Sequence, residues 1–73
     1  MYVVTGAGPV GSAIAEQLAD QGHEVRVLTR SGSGPDHALI QRMRVDVSDP
    51  SRLTEAVRGA EAIFHCIHGS KYS

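Results

Sequence analysis

Gly6, Gly8 and Gly11 fall in the spacing G-x-G-x-x-G within Thr5-Gly6-Ala7-Gly8-Pro9-Val10-Gly11. Each glycine has its own task in such a run. The first lets the chain turn sharply out of a strand, the second leaves the backbone open to an anion, and the third lets a helix lie close against the strand. The chemistry is the holding of a dinucleotide pyrophosphate by unpaired N–H groups at a helix N-terminus, aided by the positive end of the helix dipole. Gly6, Gly8, Pro9, Val10 and Gly11 therefore form the candidate cradle. A bare motif of this kind is weak, and its flanks give it weight. Tyr2-Val3-Val4 precedes it as a short apolar run, and a segment with helical periodicity follows. The competing interpretation is that these are turn and packing glycines in a ligand-free βα unit.

A second set of residues lies at the end of the next apolar run, at Thr29-Arg30-Ser31. An NAD site commonly has Asp or Glu there, about 20 residues past the glycines, to bind ribose hydroxyls. Arg30 can instead pair bidentately with a 2′-phosphate, Ser31 can add a hydrogen bond, and Thr29 can still reach a ribose hydroxyl. This favours NADP over NAD as cofactor. Against it stands the common role of arginine as a solvated surface cation.

Other polar groupings carry less. His65, Cys66 and His68 suggest a metal site, but consecutive strand residues point to opposite faces and cannot share a tetrahedral ion. His65 and Cys66 are expected in the strand core, and the same geometry rules them out as a nucleophilic pair. Ser12 fits a helix surface better than a phosphate contact. Asp49, before Pro50, fits a helix cap better than one of two paired carboxylates with Asp46. No residue is assigned to catalysis or to a metal.

These residues need elements to hold them. Val3 and Val4 mark a first strand. Pro9 suits the first turn of a helix, where its missing N–H costs nothing. Val10, Ile14 and Leu18 give that helix an apolar face with Ala13, Ala15 and Ala19 at small positions, and Gly22 stops it. Val25–Thr29 is a second strand and 31–37 a loop by composition. A one-turn helix is expected near Ala38-Leu39-Ile40, then a third strand from Arg42 to Val47. Asp49 and Pro50 begin a second helix carrying Leu53, Ala56 and Val57, and Gly59 ends it. Residues 62–67 read as a buried fourth strand. The β-α-β-β-α-β order predicts an α/β fold, a partial Rossmann-like parallel sheet with strand order 3-2-1-4 and right-handed crossovers. Residues 1–68 would be the half-domain and 69–73 a polar tail.

Composition sets outer bounds. At 73 residues the chain is at most one small domain, burying only about 60% of the surface it exposes when unfolded. A net charge of -1 gives no reason to expect nucleic acid or an anionic membrane as partner. With aromatics at 4%, base-stacking platforms are not expected. The single cysteine excludes an internal disulfide and fits a reducing compartment. No run is long enough for a membrane span, and no basic-then-apolar leader opens the chain, so a cytoplasmic location is expected.

Val4 to Gly11, the turn Gly22-His23-Glu24-Val25, and Val45-Asp46-Val47-Ser48-Asp49 resemble the N-terminal part of the short-chain dehydrogenase/reductase superfamily. The resemblance is to its extended or atypical branch, the NAD-dependent epimerase/dehydratase-like proteins, and covers Tyr2 to about His68. It implies NAD(P) binding. It also places Asp46 as acceptor for the adenine amino group, Val47 against the adenine face, and residues 66–68 near the ribose on the nicotinamide side. Two features depart from that pattern. The extended members space their glycines G-x-x-G-x-x-G, one residue longer between the first two. The catalytic Tyr-x-x-x-Lys is absent, since Lys71-Tyr72 is adjacent and reversed. The implied function is dinucleotide binding as the N-terminal portion of an oxidoreductase or epimerase whose catalytic part lies elsewhere, which makes the chain a truncated product or a fragment. The alternatives are a non-catalytic nucleotide or redox sensor of the same fold, and an inactive remnant. In either form, the outer edge of the fourth strand is a candidate for self-association.

Overall fold

Short runs rich in β-branched residues alternate with two helices begun by proline and stopped by glycine. The computed structural model describes residues 1–6, 8–46 and 48–66. Its elements are β1 (Tyr2–Thr5), α1 (Pro9–Asp20), β2 (Val25–Thr29), β3 (Ile40–Arg44), α2 (Pro50–Val57) and β4 (Ala62–His65). The four strands form one sheet in the order β3-β2-β1-β4, with every pairing parallel. Val4 sits opposite Val27 on one side and Phe64 on the other. The fold is thus the partial Rossmann-like α/β sheet that the alternation of elements predicts.

The pleat divides the core into two layers. On one face Val4, Val25 and Val27 pack against Ala15 and Ala19 of α1, with Ile14, Leu18 and Phe64 at the margin. On the other face Val3, Leu28 and Val45 pack against Ala56 of α2, flanked by Leu53 and Val57. The inner line of α1 is Gly11-Ala15-Ala19, not the expected Val10-Ile14-Leu18. Val10 is 55% exposed, and Ala13 is exposed too. Small residues form the contact line because the first turn lies so close to β1 that only glycine fits there.

Helix ends follow local chemistry. After α1 the Gly22 N–H donates to the Ala19 carbonyl and the His23 N–H to the Leu18 carbonyl, the paired bonds of a Schellman stop. Gly22 makes this possible with φ of +92°. Asp49 caps α2 by accepting from the Arg52 N–H at 3.3 Å.

Three expectations are corrected. No helical turn forms at 38–40: Ala38 and Leu39 make a turn and Ile40 already belongs to β3. β3 accordingly starts earlier than Arg42 and ends at Arg44. The Ser/Gly/Pro loop fills the space a helix would take. Gly34 lies against the side chains of Arg42 and Val27, and His37 anchors the loop to α1 through Asp20 at 3.1 Å. Lastly, β4 is not buried. It stands at the sheet edge, with Ile63 42% exposed and His65 exposed, because α2 covers Val3 and Leu28 but does not extend over β4. His65 is therefore no core residue. Cys66, just past the strand, is half-buried against the α1-side core.

Candidate dinucleotide-binding site

In a sheet ordered β3-β2-β1-β4 the chain leaves β1 toward β2 on one side and returns to β4 on the other. The crevice at the C-terminal end of β1 is the topological switch point, where open α/β sheets bind ligands. Gly6 occupies that end. Its N–H donates to the Leu28 carbonyl at 2.9 Å, which holds the turn against β2. Its φ of +93° is a conformation that side-chain-bearing residues avoid.

Gly8 is the N-cap of α1 and is extended, with φ of -69° and ψ of -177°. Gly8 has no side chain with which to cap this N-terminus, and Pro9 brings no N–H of its own. The first helical bond runs from the Ser12 N–H to the Gly8 carbonyl at 2.9 Å. The N–H groups of Val10 and Gly11 thus precede the helix's own hydrogen-bond ladder, as first-turn amides do. Gly11 explains how the turn stays tight: a Cβ there would overlap the Gly6 carbonyl oxygen and lie 3.3 Å from the Cys66 Cβ.

The second cluster forms beyond the ends of β2 and β3. A depression of about 890 Å³ is lined by Arg30 and Ser31 after β2, by Arg44, Val45 and Asp46 at the end of β3, and by Asp49 and Arg52 at the start of α2. Arg30, Ser31 and Asp46, separated in sequence, share this one surface. Thr29 does not line it. Its hydroxyl donates to the Ser33 carbonyl at 3.0 Å, while Ser31 and Ser33 share a hydroxyl bond of 2.8 Å. Both hydroxyls thereby pin the start of the loop, a role the sequence reading did not assign to Ser33.

Asp46 is exposed and tightly held. The Ser48 hydroxyl donates to Oδ1 at 2.7 Å and the Ser48 N–H at 2.9 Å. The Ser48 bonds come first, and the Arg30 guanidinium adds its attraction, so the carboxyl stays below its ordinary range despite slight desolvation. Asp46 is thus an anion and an acceptor at neutral pH. Val47 lies outside the described residues, as does His68. Among the described residues no three His, Cys, Asp or Glu side chains come together, and no helix is long and apolar enough to cross a membrane.

Arg44 and Arg52 line the same depression, which the sequence alone did not indicate. Arg44 directly precedes Val45-Asp46 and Arg52 follows the Asp49 cap, so proximity to those motifs was the available signal.

Comparison with known proteins agrees with this geometry. The sequence model of the NAD dependent epimerase/dehydratase family matches residues 2–73. Over 74 residues the chain is 32% identical to a benzil reductase ((S)-benzoin forming) of Bacillus subtilis (strain 168), covering 100% of this chain and 29% of that protein. Over 66 residues it is 33% identical to a 2-alkyl-3-oxoalkanoate reductase of Stenotrophomonas maltophilia (strain K279a), covering 89% of this chain and 20% of that protein. The chain therefore spans less than a third of the length of either relative.

Proposed function

The chain belongs to the NAD-dependent epimerase/dehydratase family, and on that premise we propose that it is the dinucleotide-binding portion of a reductase- or epimerase-like protein, with NADP preferred over NAD. Residues 1–68 would form this unit. The observation that carries the proposal is the uncapped start of α1, held by Gly6, Gly8 and Gly11 at the switch point above β1.

In this proposal the N–H groups of Val10 and Gly11 face the pyrophosphate, and Gly8 gives the phosphates access to the backbone. Arg30 and Ser31 meet the ribose 2′-phosphate. Asp46 accepts from the adenine amino group through the oxygen that Ser48 leaves open, while Val47 packs on the ring. The bound cofactor supplies hydride transfer, and the protein orients it. We assign these residues to binding alone and none to proton transfer.

The test is a fluorescence titration of the purified chain with NADPH and with NADH. Saturable binding, tighter for NADPH, is expected. Equal affinity for the two would remove the role of Arg30 in selectivity. No binding of either at millimolar concentration would overturn the function.

A further inference from the structure

Among the described residues Thr5 is the one polar side chain that is fully buried. It ends β1 and stands directly before the glycine turn. A buried hydroxyl left without a partner costs its full desolvation. Thr5 Oγ1 lies 3.1 Å from Nδ1 of His65, its neighbour across the parallel ladder. The Phe64 carbonyl is the other acceptor, at 3.4 Å. That second distance is long for an O–H···O bond, so the single hydroxyl proton goes to the imidazole. Nδ1 of His65 therefore accepts, and the neutral ring carries its own proton on Nε2. The ring is exposed, which leaves the Nε2–H to water.

The backbone at this point is clamped from both sides. The Cys66 N–H donates to the Thr5 carbonyl at 2.9 Å, and the Gly6 N–H donates to the Leu28 carbonyl at 2.9 Å. Both groups belong to the Thr5–Gly6 peptide, so β4 and β2 hold one plane between them. That plane aims the Gly6 carbonyl, against which the first turn of α1 rests at Gly11. Among the described residues β4 pairs on one side only, and His65 is its last residue. Such an end is where a sheet opens first.

We infer that His65 is a positioning residue for the glycine turn. By accepting the Thr5 hydroxyl proton at Nδ1 it fixes the end of β1 and, through Gly6 and Gly11, the first-turn amides of α1. This deepens the dinucleotide function proposed above, on which its consequence for ligand affinity rests. His65 acts through Thr5 and is assigned no contact with the ligand.

The experiment is NMR of the 73-residue chain and its variants H65A, H65N, T5V and T5S, first without ligand and then with NADPH. Asn offers an amide oxygen near the place of Nδ1, and Ser keeps the hydroxyl, so H65N and T5S retain the bond. His65 is exposed, and circular dichroism checks the fold of each variant. Imidazole nitrogen spectra of the neutral wild-type ring should show the proton on Nε2 and not on Nδ1. In ligand-free H65A the Gly6, Val10 and Gly11 amide signals should move while those of Val25 and Val27 stay, and H65N should return them toward wild type. T5V should reproduce H65A, T5S should resemble wild type, and the double variant should add little to either single change. NADPH should bind H65A about threefold to tenfold more weakly, with most of the loss recovered in H65N. A wild-type ring with its proton on Nδ1, or cradle amides unmoved in H65A, would overturn the inference. So would a lower urea midpoint in H65A with unchanged NADPH affinity of the folded chain, the sign of a purely structural bond. Failure of wild type to bind NADPH is the separate result that removes the function beneath it, and the ligand-free spectra then decide the tie between His65 and the glycine turn by themselves.

Discussion

Single residues here differ in why they are what they are. Gly11 is fixed by space, since its Cβ would run into the Gly6 carbonyl. Gly11→Ala should therefore destabilise the fold by about 1–3 kcal/mol, the usual cost of overpacking, read by urea unfolding. Gly22 has nothing near its missing side chain, and its φ of +92° alone restricts it. Gly22→Ala should cost about 1 kcal/mol through backbone strain. Asp46 gives a pH prediction. Its folded-state carboxyl is depressed, so its contribution is present above the ordinary carboxylate range and lost as pH falls through the depressed value. A carboxyl NMR titration should place Asp46 below ordinary aspartates, and Ser48→Ala should move it partway back. A wild-type midpoint in the ordinary range would contradict the Ser48 bonds. The glycine turn was legible in the sequence because its spacing and flanks follow from backbone geometry, and the place of Arg30 because it directly follows the second strand. That Arg44 and Arg52 line the same depression as Arg30 was not, because strand order alone brings those elements together.

At the scale of elements, boundaries were readable wherever backbone chemistry sets them. Pro9 opens α1, and Gly22 follows its last turn. Asp49 and Pro50 open α2, and Gly59 follows its last turn. Asp49→Ala should lower stability by about 1 kcal/mol, the typical loss for an N-cap. The same change should shorten α2 in circular dichroism, and an unchanged urea midpoint would show the cap to be dispensable. Where burial decides, the sequence was less informative. β4 reads as a continuous apolar run, yet burial depends on whether a helix reaches it, and α2 does not. The connection 30–39 is long enough to cross between parallel strands but lacks helical composition. Its covering of the sheet follows from the close approach of Gly34 to Val27 and from the His37–Asp20 bond.

For the molecule as a whole, parallel strand order places the glycine turn above β1 and the arginine-lined depression beyond β2 and β3. Both sit at the C-terminal edge of one sheet. The opposite feature is the outer edge of β4, where no further strand pairs among the described residues and Ile63 is exposed. Such edges template further strand pairing, so the 73-residue chain should associate as its concentration rises, and Ile63→Lys should reduce this in sedimentation velocity. A strictly monomeric wild type would contradict it. The most direct measurement is an amide NMR titration with NADPH. The cradle predicts saturable shifts of the Gly6, Gly8, Val10 and Gly11 N–H signals, abolished in Gly8→Val while the Val3, Val4 and Val27 signals keep their folded positions. NADPH binding that leaves those cradle amides unmoved, or no shifts at millimolar NADPH, would contradict it.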